Sequence, residues 1–219
     1  MDHIPYRPER VPLLECERRG EAALARNDGR RSVRFFSDTP VPRPLVELAI
    51  RSASTAPSGA HRQPWTFVAV SNAEVKRRIR EAAEAEERSF YEERAPEDWL
   101  EALQPFGTTW QKPFLEVAPW IVVLFAQKYG LDADGNKVKH YYVSESCGIA
   151  AGLFVSTLHE MGLSTLTHTP SPMGFLTEVL GRPAHERPYI LFPVGFAADD
   201  ATVPALGRKP LEAVSEFIE

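Results

Sequence analysis

Several things are scarce in this chain of 219 residues. Cysteine occurs only as Cys16 and Cys147, far apart and outside any paired motif. Both read as reduced thiols of a cytoplasmic protein. The histidines His3, His61, His140, His159, His168 and His185 form no H-x-x-x-H pair. With no C-x-x-C either, a metal site is not expected. Asp132-Ala133-Asp134-Gly135 opens like a calcium loop but lacks the completing bidentate glutamate, so it reads as a polar turn. No apolar run approaches the roughly 20 residues needed to span a bilayer. Met1-Asp2-His3-Ile4-Pro5 carries no signal-peptide pattern. Positive charge is in deficit, 25 Lys+Arg against 30 Asp+Glu for a net charge of −5. That argues against broad binding to nucleic acid or to anionic lipid. The apolar fraction of 43% is that of an ordinary globular core.

What is present organises into one α+β domain without repeat or linker. Residues 1–12 hold three prolines and read as an extended arm, followed by a charged helix from Leu13 to about Asn27, ending near Gly29. Pro44 opens a helix carrying Leu45, Leu48 and Ala49 to about Thr55. Trp65–Val70 reads as a buried strand, and Asn72 caps a long helix to about Glu93 with Val75, Ile79, Ala82 and Ala83 inward. A helix over Glu97–Leu103 and a strand from Trp120 to Phe125 follow, then a polar loop over 129–140. Val143–Met161 is a helix of small and apolar residues closed by Gly162. Strands at 163–168 and 188–195 flank a helix at 173–180 closed by Gly181.

Against the acidic background, Arg30-Arg31-Ser32-Val33-Arg34-Phe35 places three guanidiniums and a hydroxyl in five residues. Arginine is planar, permanently charged and matched to phosphate oxygens through paired donors. The alternative is a solvated basic turn. Three further loops sit near strand ends or beyond the last strand: Ser58-Gly59-Ala60-His61, Thr167-His168-Thr169-Pro170 and Arg208-Lys209-Pro210. Taken singly, each is a turn, a cap or a solvated terminus. Together they offer positive charge for a phosphate, hydroxyls for a heteroaromatic edge and a glycine for close backbone approach. Glu87 and Tyr91, four apart on one helix face, precede Trp110 and Lys112. A carboxylate, a phenol and an ammonium can engage the two charged ends of a free amino acid, although a solvated acidic face reads as well from spacing alone.

In collinear order, R-R-S-V-R-F, T-A-P-S-G-A-H-R-Q-P-W-T-F-V, the E-x-x-x-Y…W-x-K series, T-x-T-P, G-R-P-A-H-E and A-T-V-P-x-L-x-R-K-P-L resemble the iodotyrosine deiodinase branch of the nitroreductase superfamily, from about Arg30 to Leu211. The resemblance implies a central, mostly antiparallel sheet flanked by helices, in a domain-swapped homodimer with FMN at the subunit interface. It divides the chain into an arm and helix over 1–29 and a nitroreductase-like domain over 30–219. Within that domain it implies a lid at about 85–113 and a swapped extension at about 198–219. Arg30, Arg31, Ser32, Arg34 and Arg208 would hold the phosphate and flank the ring. Pro57, Ser58 and Gly59, with Val33 and Thr167, belong to the cofactor-contacting segments; His168 falls there too, without an assigned role. Thr169 is the hydroxyl expected near flavin N5. Ala60 would give its backbone N–H to a substrate phenolate, and Glu87, Tyr91 and Lys112 would grip the amino-acid zwitterion. Gln63 departs from the pattern, standing where an acidic residue is common, as does Pro113, which stands where a charged residue is expected.

The activity implied is reductive removal of halide from 3-iodotyrosine, 3,5-diiodotyrosine and their bromo and chloro counterparts. The reductant would be NAD(P)H, directly or through a reductase. No membrane anchor is expected, in contrast to animal members. A general nitroreductase or flavin reductase is the alternative, and a non-catalytic flavin-binding protein a more distant one.

Overall fold

The structure is a computed structural model that describes residues 3–219; the first two residues of the expected arm lie outside the described residues. Residues 3–12 form no helix or strand, and α1 runs over Leu13–Gly29. Glu15 in its first turn accepts from both Arg18 and Arg19, but the helix buries no side chain. The next helix, α2 (Arg43–Ala53), starts at a proline and turns Val46, Ala49 and Ala53 inward. That stripe differs from the expected one: Leu48 is exposed, because the inward row is set by Val46 and its neighbours three and seven residues on.

The strand β1 (Trp65–Val70) leads into α3 (Ala73–Ser89), where the Asn72 side chain accepts the Val75 N–H at 3.0 Å. Its inner face holds Ile79 and Ala83, with Lys76, whose ammonium donates to the Glu116 and Ala118 carbonyls at 2.8 and 2.7 Å. The helix was expected to reach Glu93. Instead it widens at Phe90–Arg94 into a π turn, a distortion common at functional sites. Two short helices follow, α4 (Glu97–Leu103) and α5 (Phe114–Val117), then the strand β2 (Trp120–Gln127). The expected polar loop is a hairpin, β3 (Tyr129–Leu131) and β4 (Lys137–Lys139). Asp132 closes it by accepting from the Asp134 and Asn136 N–H groups, so the calcium-like tetrapeptide is a turn.

The long helix α6 (Val143–Glu160) precedes β5 (Ser164–Thr165), α7 (Phe175–Val179) and β6 (Glu186–Gly195). The sheet has order β1-β2-β6-β5 with every pairing antiparallel. Both faces are covered. Val122, Leu124, Phe192 and Val194 pack with α2 and α6 on one side. Ile121, Val123, Phe125 and Leu191 pack with α3, α5 and α7 on the other, the period-2 alternation of a strand buried on both faces. Both cysteines are free, and burial pushes the Cys147 thiol up to about 12. No helix among the described residues is long and apolar enough to cross a membrane.

The strand expected at 163–168 is interrupted, and the interruption builds the site. β5 pairs Ser164 with Gly195 and Thr165 with Val194. The same register would next meet Pro193, which has no N–H to donate, and the ladder stops. It resumes two residues on, where His168 and Leu191 exchange both backbone bonds at 2.8 and 3.0 Å. Side chains still alternate: Leu166, His168 and Pro170 are buried, Thr167 and Thr169 exposed.

Candidate functional site

The arginine cluster is fixed along the edge of this sheet. Ser32 forms a parallel bridge with Thr165, and the Val33 N–H donates to the Thr165 carbonyl at 3.2 Å. Val33 is thereby buried, and its neighbours project outward. Arg30 and Ser32 border a cavity of about 530 Å³ whose floor is Gly148, Ala151, Gly152 and Val155 of α6 and whose rim carries Thr165 and Thr167. Arg30, Arg31, Ser32, Arg34 and Arg208 together line an adjoining cavity of about 200 Å³. Arg31 donates to the Pro204 carbonyl, and Arg208 is held by Asp28 at 2.6 Å and by the Arg30 carbonyl at 3.1 Å. Four guanidiniums and a hydroxyl around one cavity, beside a larger one with an apolar floor and hydroxyl rim, fit a phosphorylated heteroaromatic group.

Arg34 and Thr167 also border a third cavity, of about 190 Å³, the one of the three that Thr169 lines, and there the expected zwitterion-binding residues meet. Lys112 is 3% exposed, and its Nζ lies 3.2 Å from Glu87 Oε2. The same ammonium donates to the Thr109 carbonyl and, at 3.3 Å, to the Thr108 hydroxyl, and it sits over the Tyr91 ring. Glu84 accepts the Lys112 backbone N–H at 2.7 Å and so fixes the strap that carries the lysine. Burial lowers the Lys112 ammonium from its ordinary value while Glu87 opposes the shift, and burial raises the Tyr91 phenol, which stays protonated at neutral pH. Trp99 and Leu103 of α4 close the outer side.

His168 belongs to this third cavity. Its Nε2 is buried without a hydrogen-bond partner, a state that costs roughly 1–3 kcal/mol. The resemblance put His168 in a cofactor-contacting segment without a role; the structure puts its side chain in the third cavity instead. Glu84, Thr108 and Trp99 were missed, since a helix-face carboxylate, a loop threonine and a tryptophan on a short helix are ordinary surface features.

Pro57, Ser58, Gly59 and Ala60 border none of these three cavities. Their loop packs against the start of α6, where a Cβ on Gly59 would meet the Tyr141 carbonyl oxygen at 2.6 Å. The cofactor-sized cavity lies along α6 from Gly148, about 8 Å past the helix start, to Ser156, about 20 Å past it. The loop is nonetheless built for close approach. Ala60, His61 and Gln63 all have positive φ, an arrangement that costs energy and clusters at functional sites. The turn is held through the N–H groups of His61, Arg62 and Gln63, not that of Ala60.

The nitroreductase family model matches residues 28–196. This chain belongs to the nitroreductase family, in its iodotyrosine deiodinase branch. It is 48% identical to the iodotyrosine deiodinase of Haliscomenobacter hydrossis, over 96% of this chain and 98% of that one. It is 42% identical to human iodotyrosine deiodinase 1, over 98% of this chain and 74% of that one. A crystal structure of oxidized iodotyrosine deiodinase bound to FMN and 3-iodo-L-tyrosine superimposes with a TM-score of 0.76 at 27% identity, covering 89% of this chain and all of that one. Fold and branch therefore agree with the resemblance drawn from the motifs.

Proposed function

We propose that this chain is an FMN-dependent oxidoreductase that removes halide reductively from halogenated tyrosines. One observation carries the reading: the cavity joining Glu87, Tyr91 and Lys112 shares Arg34 with the arginine-lined cavity and Leu166 and Thr167 with the hydroxyl-rimmed one. Bound and reduced, FMN supplies the two electrons. At the halogen-bearing carbon those electrons and one proton break the carbon–halogen bond, form a carbon–hydrogen bond and release halide.

The protein binds and orients. Arg30, Arg31, Ser32, Arg34 and Arg208 would hold the phosphate, and Thr169, exposed beside Thr167 and lining the third cavity, would present its hydroxyl to the flavin ring from that side. Lys112 takes the carboxylate of the amino-acid tail, Glu87 its ammonium, and the Tyr91 hydroxyl the polar edge between them. Closure of the 85–113 segment excludes water, which strengthens those charge-assisted bonds.

A homodimer completes the site. Ser58, Gly59 and Ala60 border none of the three cavities in their own copy, so their contribution comes from a second copy. Unspent apolar surface supports that reading: Leu13, Leu14 and Leu24 of α1 and Phe217 and Ile218 of the C-terminal tail are all at least 70% exposed. α6 likewise exposes Gly148, Ile149 and Gly152, although no residue between Glu145 and His159 is charged. The reductant is NAD(P)H, directly or through a reductase, and the free thiols fit a reducing cytoplasm.

The deciding experiment supplies dithionite and 3-iodotyrosine to the FMN-loaded protein and measures iodide. Iodide release together with tyrosine is expected. Nitroaromatic reduction without iodide would mark a general nitroreductase, and a bound flavin with neither reaction a binding protein.

A further inference from the structure

His168 is the polar group in the third cavity whose bonding capacity the fold leaves unused. Its backbone is pinned to Leu191 in both directions, so the ring has a fixed base. Edge-on packing against Phe114, centroids 5.7 Å apart and planes at 89°, sets its orientation. The side chain is 8% exposed, and among the described residues no other buried side-chain nitrogen or oxygen lacks a partner as Nε2 does. Glu87 Oε1 lies 4.0 Å away, about 1 Å beyond hydrogen-bond reach. Glu87 thus stands between two groups, with Oε2 toward Lys112 and Oε1 toward His168. Burial, with Lys112 and Arg34 nearby, pushes the imidazole down to about 3, which keeps the ring neutral with one N–H to give.

The base of His168 is fixed, and Glu87 belongs to the 85–113 segment proposed to close, three residues before the helix widens into the π turn. We propose that His168 is a positioning residue for the substrate's amino-acid tail: when the cavity closes on substrate, Nε2–H is donated to Glu87 Oε1 and aims the carboxylate at the tail's ammonium. Lys112 can then turn from Glu87 to the tail's carboxylate without leaving Glu87 unheld. A neutral imidazole suits the task, because a second cation beside Glu87 would repel the incoming ammonium. The consequence is selection for free α-amino acids over halophenols that lack the tail. The inference rests on the halotyrosine reading above and assigns a role within it to a residue outside the Glu87–Tyr91–Lys112 trio.

The test uses the FMN-loaded holoenzyme, with flavin fluorescence reporting the binding of 3-iodotyrosine and of 2-iodophenol. His168→Leu is expected to raise the Kd for 3-iodotyrosine about tenfold and to leave that for 2-iodophenol within about twofold. His168→Gln, which keeps an N–H donor, should recover most of the loss. Equal losses for both probes, no loss for 3-iodotyrosine, or a glutamine variant no better than leucine would each overturn the proposal. A second readout needs no variant. In the wild-type holoenzyme, an isotope-labelled imidazole N–H should become slow to exchange on adding 3-iodotyrosine but not 2-iodophenol, and its absence overturns the proposal as well. Wild-type protein that binds 2-iodophenol but not 3-iodotyrosine would instead sink the halotyrosine reading, and this inference with it.

Discussion

The Thr165–Thr169 wall and the 90–112 segment face each other across one small cavity, yet different forces hold them. The wall is backed by Leu191 and Phe192, both fully buried, and tied to β6 by backbone bonds on either side of Pro193. The facing segment has almost no core of its own. α4 buries no residue, Trp99 is 54% exposed, and the π turn is held by the partly exposed pairs Arg88–Glu92 and Arg94–Glu86. Such pairs are worth little. The buried anchors lie at the segment's two ends, at Ala83 on one side and at Lys112, Phe114 and Leu115 on the other. Local opening is cheap where few apolar contacts must be broken. On the proposed reading, a rigid face serves the group that stays bound, and a loosely held one serves the substrate that comes and goes.

The contrast can be broken by mutation. Leu191→Ala should cost about 2–5 kcal/mol of folding stability, against less than about 1 kcal/mol for Trp99→Ala, read by urea denaturation. Equal losses would erase the distinction. Lys112→Ala should raise the Kd for 3-iodotyrosine about tenfold while FMN stays bound through gel filtration. Unchanged affinity would remove the facing segment from tail recognition.

A gentler effect sharpens the picture of the wall. The His168 value of about 3 in the folded protein lies below its ordinary 6.5, so below pH 6.5 the unfolded chain binds a proton that the native one refuses. Stability is complete above that pH and declines as pH falls toward 3. His168→Gln should flatten this acid-side decline by up to about 1.4 kcal/mol per pH unit, measured by denaturation across a pH series. An unaltered slope would mean that the histidine is not buried neutral.

Much of this was legible in the residues. Strands such as Trp120–Phe125 announce themselves as apolar runs, and Asn72 and Pro44 mark helix starts by chemistry that acts locally. The arginines proposed to hold phosphate stood out because guanidiniums on an acidic chain ask for an anion, and the structure gathers them around one cavity. The break at Leu166–Thr167 could not, because it depends on which residue of β6 lies opposite, a fact of register. The hairpin at 129–139 was hidden for a related reason: three-residue strands carry too little alternation to show. His168 was opaque because its significance is an unfilled bond in three dimensions.

Amide hydrogen exchange on the FMN-loaded protein, with and without 3-iodotyrosine, tests the division of labour most directly. The account predicts that residues 90–112 exchange fast alone and gain protection with the amino acid, while residues 164–169 are protected in both states. Protection that appears in the wall and not in the facing segment would contradict it.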